Sequence, residues 1–187
     1  MKKFFAAVLV ILLSVSAFAV ITGGLFGPGS FKVDIIKKKH MKTVAKKDLP
    51  SELKIDYAFT NARKTYQLWY SMFKQNDKNA ANDDLMLNYG MYAFAYLMNM
   101  SAADLNPDAI QRFDDSDVKI DFNGDFGATA LIEYPKKEYS REFKYMLVNF
   151  YCKKGQGLVV QTILFSDVNI VTDNEFIEAF NSFRFKD

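Results

Sequence analysis

Three consecutive stretches near the C-terminus decide how this chain folds: FKYMLVNFYC at 143–152, KKGQG at 153–157 and LVVQTILF at 158–165. Two apolar, β-prone runs flank a short segment with two glycines, which is the pattern of a β-hairpin. Cys152 ends the first run and reads as a small buried hydrophobe, with a reactive or intermolecular thiol as the alternative. The next signal upstream is Asn123-Gly124. Val118, Ile120 and Phe122 alternate before it, and Phe126, Ala128, Ala130 and Ile132 alternate after it. The pattern predicts a second hairpin, and a three-residue loop, Asn123–Asp125, sets Phe122 opposite Phe126 with both apolar sets on one side.

Helical signals surround these strands. Downstream, Thr172 and Glu175 have the spacing of a capping box, opening a helix with Phe176, Ile177, Phe180 and Phe183 on one face. Upstream, Leu53, Ile55, Tyr57 and Phe59 alternate as in a half-buried strand. Asn61 then reads as the cap of a helix carrying Ala62, Tyr66, Trp69, Tyr70 and Phe73. Asn76–Ala81 is a polar break, and Leu85–Met100 is a helix apolar nearly all round, buried on most sides or lining a pocket. Asp83 and Asp84 suit its positive N-terminus, while Gly90 in its interior costs about 1 kcal/mol relative to Ala. Asn106-Pro107-Asp108 starts a short helix ending near Phe113. The order predicts an α+β domain: an antiparallel four- to five-stranded sheet packed by helices and closed by a C-terminal helix.

The 187 residues suit one domain with a real core, and an apolar half of the chain argues against wholesale disorder. Its N-terminal end reads differently. Lys2 and Lys3, the apolar run Phe4–Leu13 and the small-x-small step Ala17-Phe18-Ala19 are the three regions of a secretory signal. An uncleaved anchor over Phe4–Ile21 is the competitor, at the short end for a bilayer span. Either way most of the chain is expected outside the cytoplasm, periplasmic or extracellular. The domain layout is therefore 1–19 signal peptide or anchor, 20–47 Gly-rich and basic linker, and 48–187 a single domain.

Charge divides the mature chain. Residues 32–47 hold seven lysines, Lys32, Lys37, Lys38, Lys39, Lys42, Lys46 and Lys47, against Asp34 alone, a net +6. From Asp48 onward there are 15 basic and 21 acidic residues, a net −6. The basic stretch reads as a solvated tail or as a surface-binding arm, each Lys near an anionic membrane contributing about 1 kcal/mol. Nucleic acid fits poorly, because the protein is read as exported and the stretch offers few aromatics. His40 lies in the same stretch and reads as a polar surface residue.

The chemistry of known catalytic sets is thin. One His and one Cys exclude the usual Cys/His zinc sites and an internal disulfide framework. There is no Gly-x-Ser-x-Gly, no phosphate-binding Gly loop and no His-Glu-x-x-His. Asp121, Asn123 and Asp125 have the opening spacing of a calcium loop, but Phe126 and Ile132 stand where Gly and Glu are needed. Asp114, Asp115 and Asp117 read as a loop cluster. The expectation is no enzyme, no cofactor and no metal site. An apolar pocket drawing on Trp69, Met91, Phe94 and Met98 is the candidate ligand site.

The final forty or so residues resemble the end of a PsbP-like domain. The matching features are the strand Phe143–Cys152, the turn Lys153–Gly157, the strand Leu158–Phe165 and a helix closing on Phe180-Asn181-Ser182-Phe183. The resemblance implies an α-β-α sandwich used for binding and assembly, and it carries no catalytic residue. A sheet closed by a C-terminal helix also suits a START-like lipid-binding fold. The functional expectation is an exported, non-catalytic binding or assembly protein of the cell envelope, with a protein partner or a membrane surface. The alternative is a carrier of a small apolar ligand or lipid.

Overall fold

Every residue of the strand Gly157–Phe165 is buried, so this strand has to lie inside a sheet covered on both faces. The computed structural model describes residues 26–27, 31, 33–77 and 80–187. In chain order the strands are β1 (Phe26–Gly27), β2 (Val33–Ile35), β3 (Met41–Thr43), β4 (Tyr57–Asn61), β5 (Tyr66–Gln75), β6 (Gln111–Arg112), β7 (Phe126–Ile132), β8 (Tyr145–Lys153), β9 (Gly157–Phe165) and β10 (Phe183–Phe185). The helices are α1 (Asn82–Met100), α2 (Asp115–Phe122), α3 (Lys137–Ser140) and α4 (Asn174–Phe180).

Seven strands form one antiparallel sheet in the order β3-β4-β5-β9-β8-β7-β6, with β9 at its centre and β1 added beside the end of β5. Two meanders build it. The first is β3-β4-β5 and the second β6-β7-β8-β9, and they meet where β5 pairs with β9 along nine residues from Tyr66↔Phe165 to Lys74↔Gly157. The fold is thus α+β and antiparallel as expected, but the sheet has seven strands rather than four or five.

The sheet separates two cores. On one face Trp69, Phe73, Phe150, Val160 and Leu164 pack beneath α1, which contributes Leu85, Tyr89, Tyr92, Tyr96 and Met100. Tyr89 Oη donates to the Phe150 carbonyl at 2.9 Å, and Tyr96 and Thr162 share a 3.2 Å bond across the same layer. On the other face Tyr66, Leu68, Tyr70, Met72, Tyr151 and Ile163 pack against α2, α4 and the ribbon that β2 and β10 form. In that ribbon Phe183 and Phe185 face Ile35 and Val33. The chain therefore ends in a strand, not in a closing helix. A ten-residue strand with both faces covered needs apolar residues at both parities, which is why β5 shows no alternation.

That double coverage explains the largest difference from the sequence reading. Tyr66, Trp69, Tyr70 and Phe73 satisfy helical spacing, yet Leu68 and Met72 fill the gaps on the second face, and the segment is strand β5. Asn61 caps no helix. Its carboxamide closes the β4–β5 turn, accepting from the Thr65 amide at 2.9 Å and donating to Thr65 Oγ1 at 2.8 Å, with Lys64 in the left-handed region at φ 55°. The β4 strand starts at Tyr57, and Leu53 and Ile55 instead pack from a loop against the core under α1.

Asn123-Gly124 is likewise a helix end rather than a hairpin. Val118–Phe122 belongs to α2, Asn123 takes φ 55° and ψ 30°, and its amide returns to the Lys119 carbonyl at 3.2 Å. A Cβ on Gly124 would stand 2.9 Å from Val118 Cγ1 and 3.2 Å from the Cys152 carbonyl, so glycine lets α2 close onto the sheet. The Asn106–Phe113 segment holds one 3-10 turn, Pro107–Ala109, followed by strand β6. The helix α4 forms as expected, but Thr172 Oγ1 donates to the Asn169 carbonyl and the capping box is not made. The expected β8–β9 hairpin is present, with Cys152↔Leu158 and Lys153↔Gly157 in register.

A polar row crosses the second core. Thr129, Asn149, Gln161 and Tyr70 stand directly opposite one another on β7, β8, β9 and β5. Thr129 Oγ1 donates to Asn149 Oδ1 at 2.6 Å, and Asn149 Nδ2 donates to Gln161 Oε1 at 2.8 Å. Gln161 Nε2 then donates to Tyr70 Oη and to the Phe180 carbonyl, both at 2.9 Å. Tyr70 Oη and Ser182 Oγ share a 2.7 Å bond. The row ties four strands to the end of α4 with its buried groups satisfied.

Gln161→Leu keeps volume but strands the Asn149 amide and the Phe180 carbonyl, so urea unfolding should show a loss of about 2–4 kcal/mol. Burial raises the hydroxyl pKa of Tyr66, Tyr70, Tyr89, Tyr92, Tyr96, Tyr139 and Tyr151, with Tyr70 and Tyr96 pushed up to about 12. These groups hold their protons in the folded state after the unfolded chain, near pH 10, has lost them. Stability is therefore complete below pH 10 and falls as pH rises toward 12. Tyrosinate absorbance should rise together with loss of secondary structure in that window, and ionisation of all ten tyrosines well below the unfolding transition would contradict it.

Candidate binding surfaces

The basic stretch is built into the fold rather than lying outside it. Residues 33–35 form β2 against β10, residues 41–43 form β3 at the edge of the main sheet, and Lys46–Asp48 makes a 3-10 turn. The segment read as linker up to residue 47 thus contributes three strands, β1, β2 and β3, because Phe26 packs into the core under α1 and Met41, Val33 and Ile35 supply apolar contacts to the second core. Lys37, Lys38, Lys39, Lys42, Lys46 and Lys47 follow one another along this edge, all exposed except the half-buried Lys38. Among the described residues none of the six pairs with a carboxylate. Lys37 Nζ donates to Thr43 Oγ1 at 3.3 Å, and Asp34 is already engaged by Lys186 at 2.7 Å. Lys32 lies outside the described residues, as does the whole of 1–25, the stretch that reads as a signal or anchor. His40 is half-buried, its Nε2 3.1 Å from Tyr66 Oη.

The candidate apolar pocket is not assembled. Trp69 is 2% exposed in the core under α1, whereas Met91 is 59% exposed on the opposite side of that helix. Phe94 and Met98 are half-buried on the outer side with it. Helical spacing explains the split. Leu85, Tyr89, Tyr92, Tyr96 and Met100 take the inward face, and Leu87, Met91, Phe94 and Met98 fall on the outward one. The helix that reads as buried on most sides therefore exposes an apolar stripe.

A groove that the sequence did not signal lies at the opposite edge. Between Ala102, whose amide donates to the Tyr134 carbonyl at 2.7 Å, and Gln111, paired with Thr129, the chain loops away from β7. The gap has a volume of about 540 Å³ and is lined by Leu105, Ala109, Leu131, Ile132, Tyr134 and Leu147, with Asp104 and Glu133 beside them. Its walls come from three separate segments, residues 101–111, 129–134 and Leu147, so no local pattern could announce it.

The acidic clusters serve the local fold. Asp114 caps α2 by accepting from the Ser116 amide at 2.8 Å, and these Ser116 bonds hold its carboxyl below the usual range. Asp115 pairs with Arg112 at 2.7 Å. Asp125 accepts from the Lys154 amide at 2.7 Å, while Asn123 Nδ2 donates to the Phe185 carbonyl at 3.1 Å. The calcium-like spacing is therefore spent on a helix end and a turn. No group of three metal-ligating side chains occurs among the described residues, and no described helix is long and apolar enough to cross a membrane.

Comparison of the chain with the models of known protein families gives no match, and comparison with curated proteins gives none either.

Cys152 is fully buried in the core under α1, and burial pushes its thiol pKa well up. A thiol so placed is a poor nucleophile. A disulfide-exchange reagent should leave it unmodified in the native protein and label it once urea unfolds the chain. Rapid native labelling would reinstate a reactive thiol.

Proposed function

We propose that this chain is an exported, non-catalytic binding or assembly protein of the cell envelope, which docks on an anionic surface through its basic edge. The observation that carries this reading is the run of six lysines from Lys37 to Lys47, held along β3 and its flanking turns without carboxylate partners among the described residues. Cations fixed on a rigid edge lose less freedom on docking than cations on a mobile tail, so the same charges bind more strongly. A membrane surface bearing anionic headgroups is the partner that such an edge suits best. The signal-like N-terminus supports export, and the PsbP-like resemblance of the C-terminal hairpin supports an assembly role.

A carrier of a small apolar ligand is the second reading. Trp69, Met91, Phe94 and Met98 no longer support it, but the groove beside β7 does, since about 540 Å³ with mostly apolar walls is within the range of small-molecule sites.

The test is co-sedimentation with vesicles of phosphatidylcholine carrying about one third phosphatidylglycerol, against vesicles of phosphatidylcholine alone. Binding to the anionic vesicles is expected, weakening with salt. Replacing Lys37, Lys38 and Lys39 together by Gln should cost about 3 kcal/mol, more than a hundredfold in affinity. Equal binding by the triple variant, or by both kinds of vesicle, would rule the basic edge out as the docking surface. A lipid or other apolar molecule that co-purifies and is displaced by Leu131→Trp would favour the carrier instead.

A further inference from the structure

Strand β7 has a neighbour on its outer side along only part of its length. Gln111 pairs with Thr129, and the Phe113 amide donates to the Gly127 carbonyl at 3.0 Å. Farther along, the Ala102 amide donates to the Tyr134 carbonyl at 2.7 Å. Between these two ties, residues 130–133 face no strand among the described residues, a gap of about 13 Å at roughly 3.3 Å per residue. Main-chain groups alternate in direction along an antiparallel strand. Gly127 bonds toward β6, so Thr129 and Leu131 turn their N–H and C=O the same way. The register sets Ala109 opposite Leu131, but the Ala109 amide is spent inside its own turn, on the Asn106 carbonyl at 2.9 Å. Among the described residues Leu131 therefore presents an unused donor and an unused acceptor to the 540 Å³ groove.

One end of that groove is acidic. Asp104 and Glu133 both line it and both are exposed, and neither pairs with a cation among the described residues. Asp104 is two residues from Ala102 and Glu133 is next to Tyr134, so both carboxylates belong to the end where those two residues meet. We propose that the groove receives the amino-terminal end of an extended peptide, which adds to β7 as a short antiparallel strand with its ammonium between Asp104 and Glu133. The direction follows from the charges. β7 runs from Thr129 toward Tyr134, so a chain that begins at the carboxylates and runs back toward Gln111 is antiparallel to it, as every strand pair in this sheet is. The length follows from the two ties: four residues fill the gap, and a fifth would meet Gln111. The first residue stands opposite Glu133 and the third opposite Leu131, where it donates to the Leu131 carbonyl and accepts from the Leu131 amide. Its side chain shares a face with Leu131 and with Leu147, which pairs with Leu131 on β8, so an apolar residue suits that position. A neutral apolar molecule would leave the Leu131 groups and both carboxylates unanswered, and a peptide's carboxylate end would be repelled by them. The inference stands apart from the basic edge at β3, and it gives the β7 groove a different occupant from the apolar ligand of the second reading.

Isothermal titration calorimetry on the full chain tests it, with the tetrapeptide Ala-Val-Leu-Val amide as probe. Binding of one peptide per chain is expected. Acetylating the probe's amino terminus should weaken binding about tenfold, and N-methylating its third residue, which removes the donor to Leu131, should do the same. N-methylating the second residue, whose N–H points away from β7, should change affinity by less than about twofold. Asp104→Asn combined with Glu133→Gln should lower affinity for the free peptide as acetylation does, yet leave affinity for the acetylated peptide unchanged. Both side chains are exposed, so circular dichroism should not move. No binding up to millimolar probe, equal affinity for the free and acetylated peptides, or equal losses from the two N-methyl peptides overturns the proposal, and these comparisons need no protein variant. Uptake of Nile red that Leu131→Trp abolishes and the peptide does not displace also overturns it, and assigns the groove to an apolar ligand.

Discussion

Strand β9 is the constraint on which the remaining structure depends. All nine of its residues are buried, its two edges are occupied by β5 and β8, and both faces must be kept from water. The side toward α1 is closed by one long helix. The other side needs three pieces, α2, α4 and the β2–β10 ribbon, gathered from the middle and both ends of the chain. Gln161 sits in the middle of β9 and makes the cover specific. It links Asn149 and Tyr70 across the sheet and reaches the Phe180 carbonyl where α4 ends. Apolar packing alone would let α4 slide, whereas an amide in a dry core accepts one placement of its partners.

The same demand explains where the chain's first described strands go. With β10 needed as cover, β2 pairs with it and brings Phe31 onto Phe185, rings stacked at 5.8 Å. The lysines that follow are then carried to the exposed edge at β3. An edge strand with Lys42 and neighbouring cations also resists pairing with another sheet. The basic edge is thus a consequence of closing the second core as much as a feature of composition. On the opposite face α1 is long enough to cover its core with one side only, and its outer stripe is left over.

Legibility in the sequence followed how local each decision was. The β8–β9 hairpin was readable because two β-prone runs flank a glycine-bearing turn, and α1 was readable because sixteen residues without a breaker other than Gly90 favour a helix. The β5 strand was misread because Tyr66, Trp69, Tyr70 and Phe73 fit helical spacing as well as a strand buried on both faces, and periodicity cannot separate the two. Asn123-Gly124 was misread for a related reason. A left-handed Asn followed by Gly suits a hairpin turn and a helix end equally, and only the packing of Val118 and Phe122 against Tyr151 and Phe183 selects the helix. Of the candidate site residues, the lysines were legible from composition. The four supposed pocket residues were not, since inward and outward positions of α1 carry the same kinds of side chain.

What the sequence by itself determined is therefore the class of fold and its strongest local units: antiparallel strands near the C-terminus, a long apolar helix, a basic segment before an acidic domain, and a cysteine spent on packing. Tertiary structure alone decided that β5 is a strand, that the basic segment is an edge of the sheet and that the chain closes with a strand. It also decided that Met91, Phe94 and Met98 face outward while Trp69 faces in. The physical reason is common to all of these. Burial of a side chain depends on which distant segment arrives to cover it, and for residues that are apolar on every side the local pattern contains no record of that arrival.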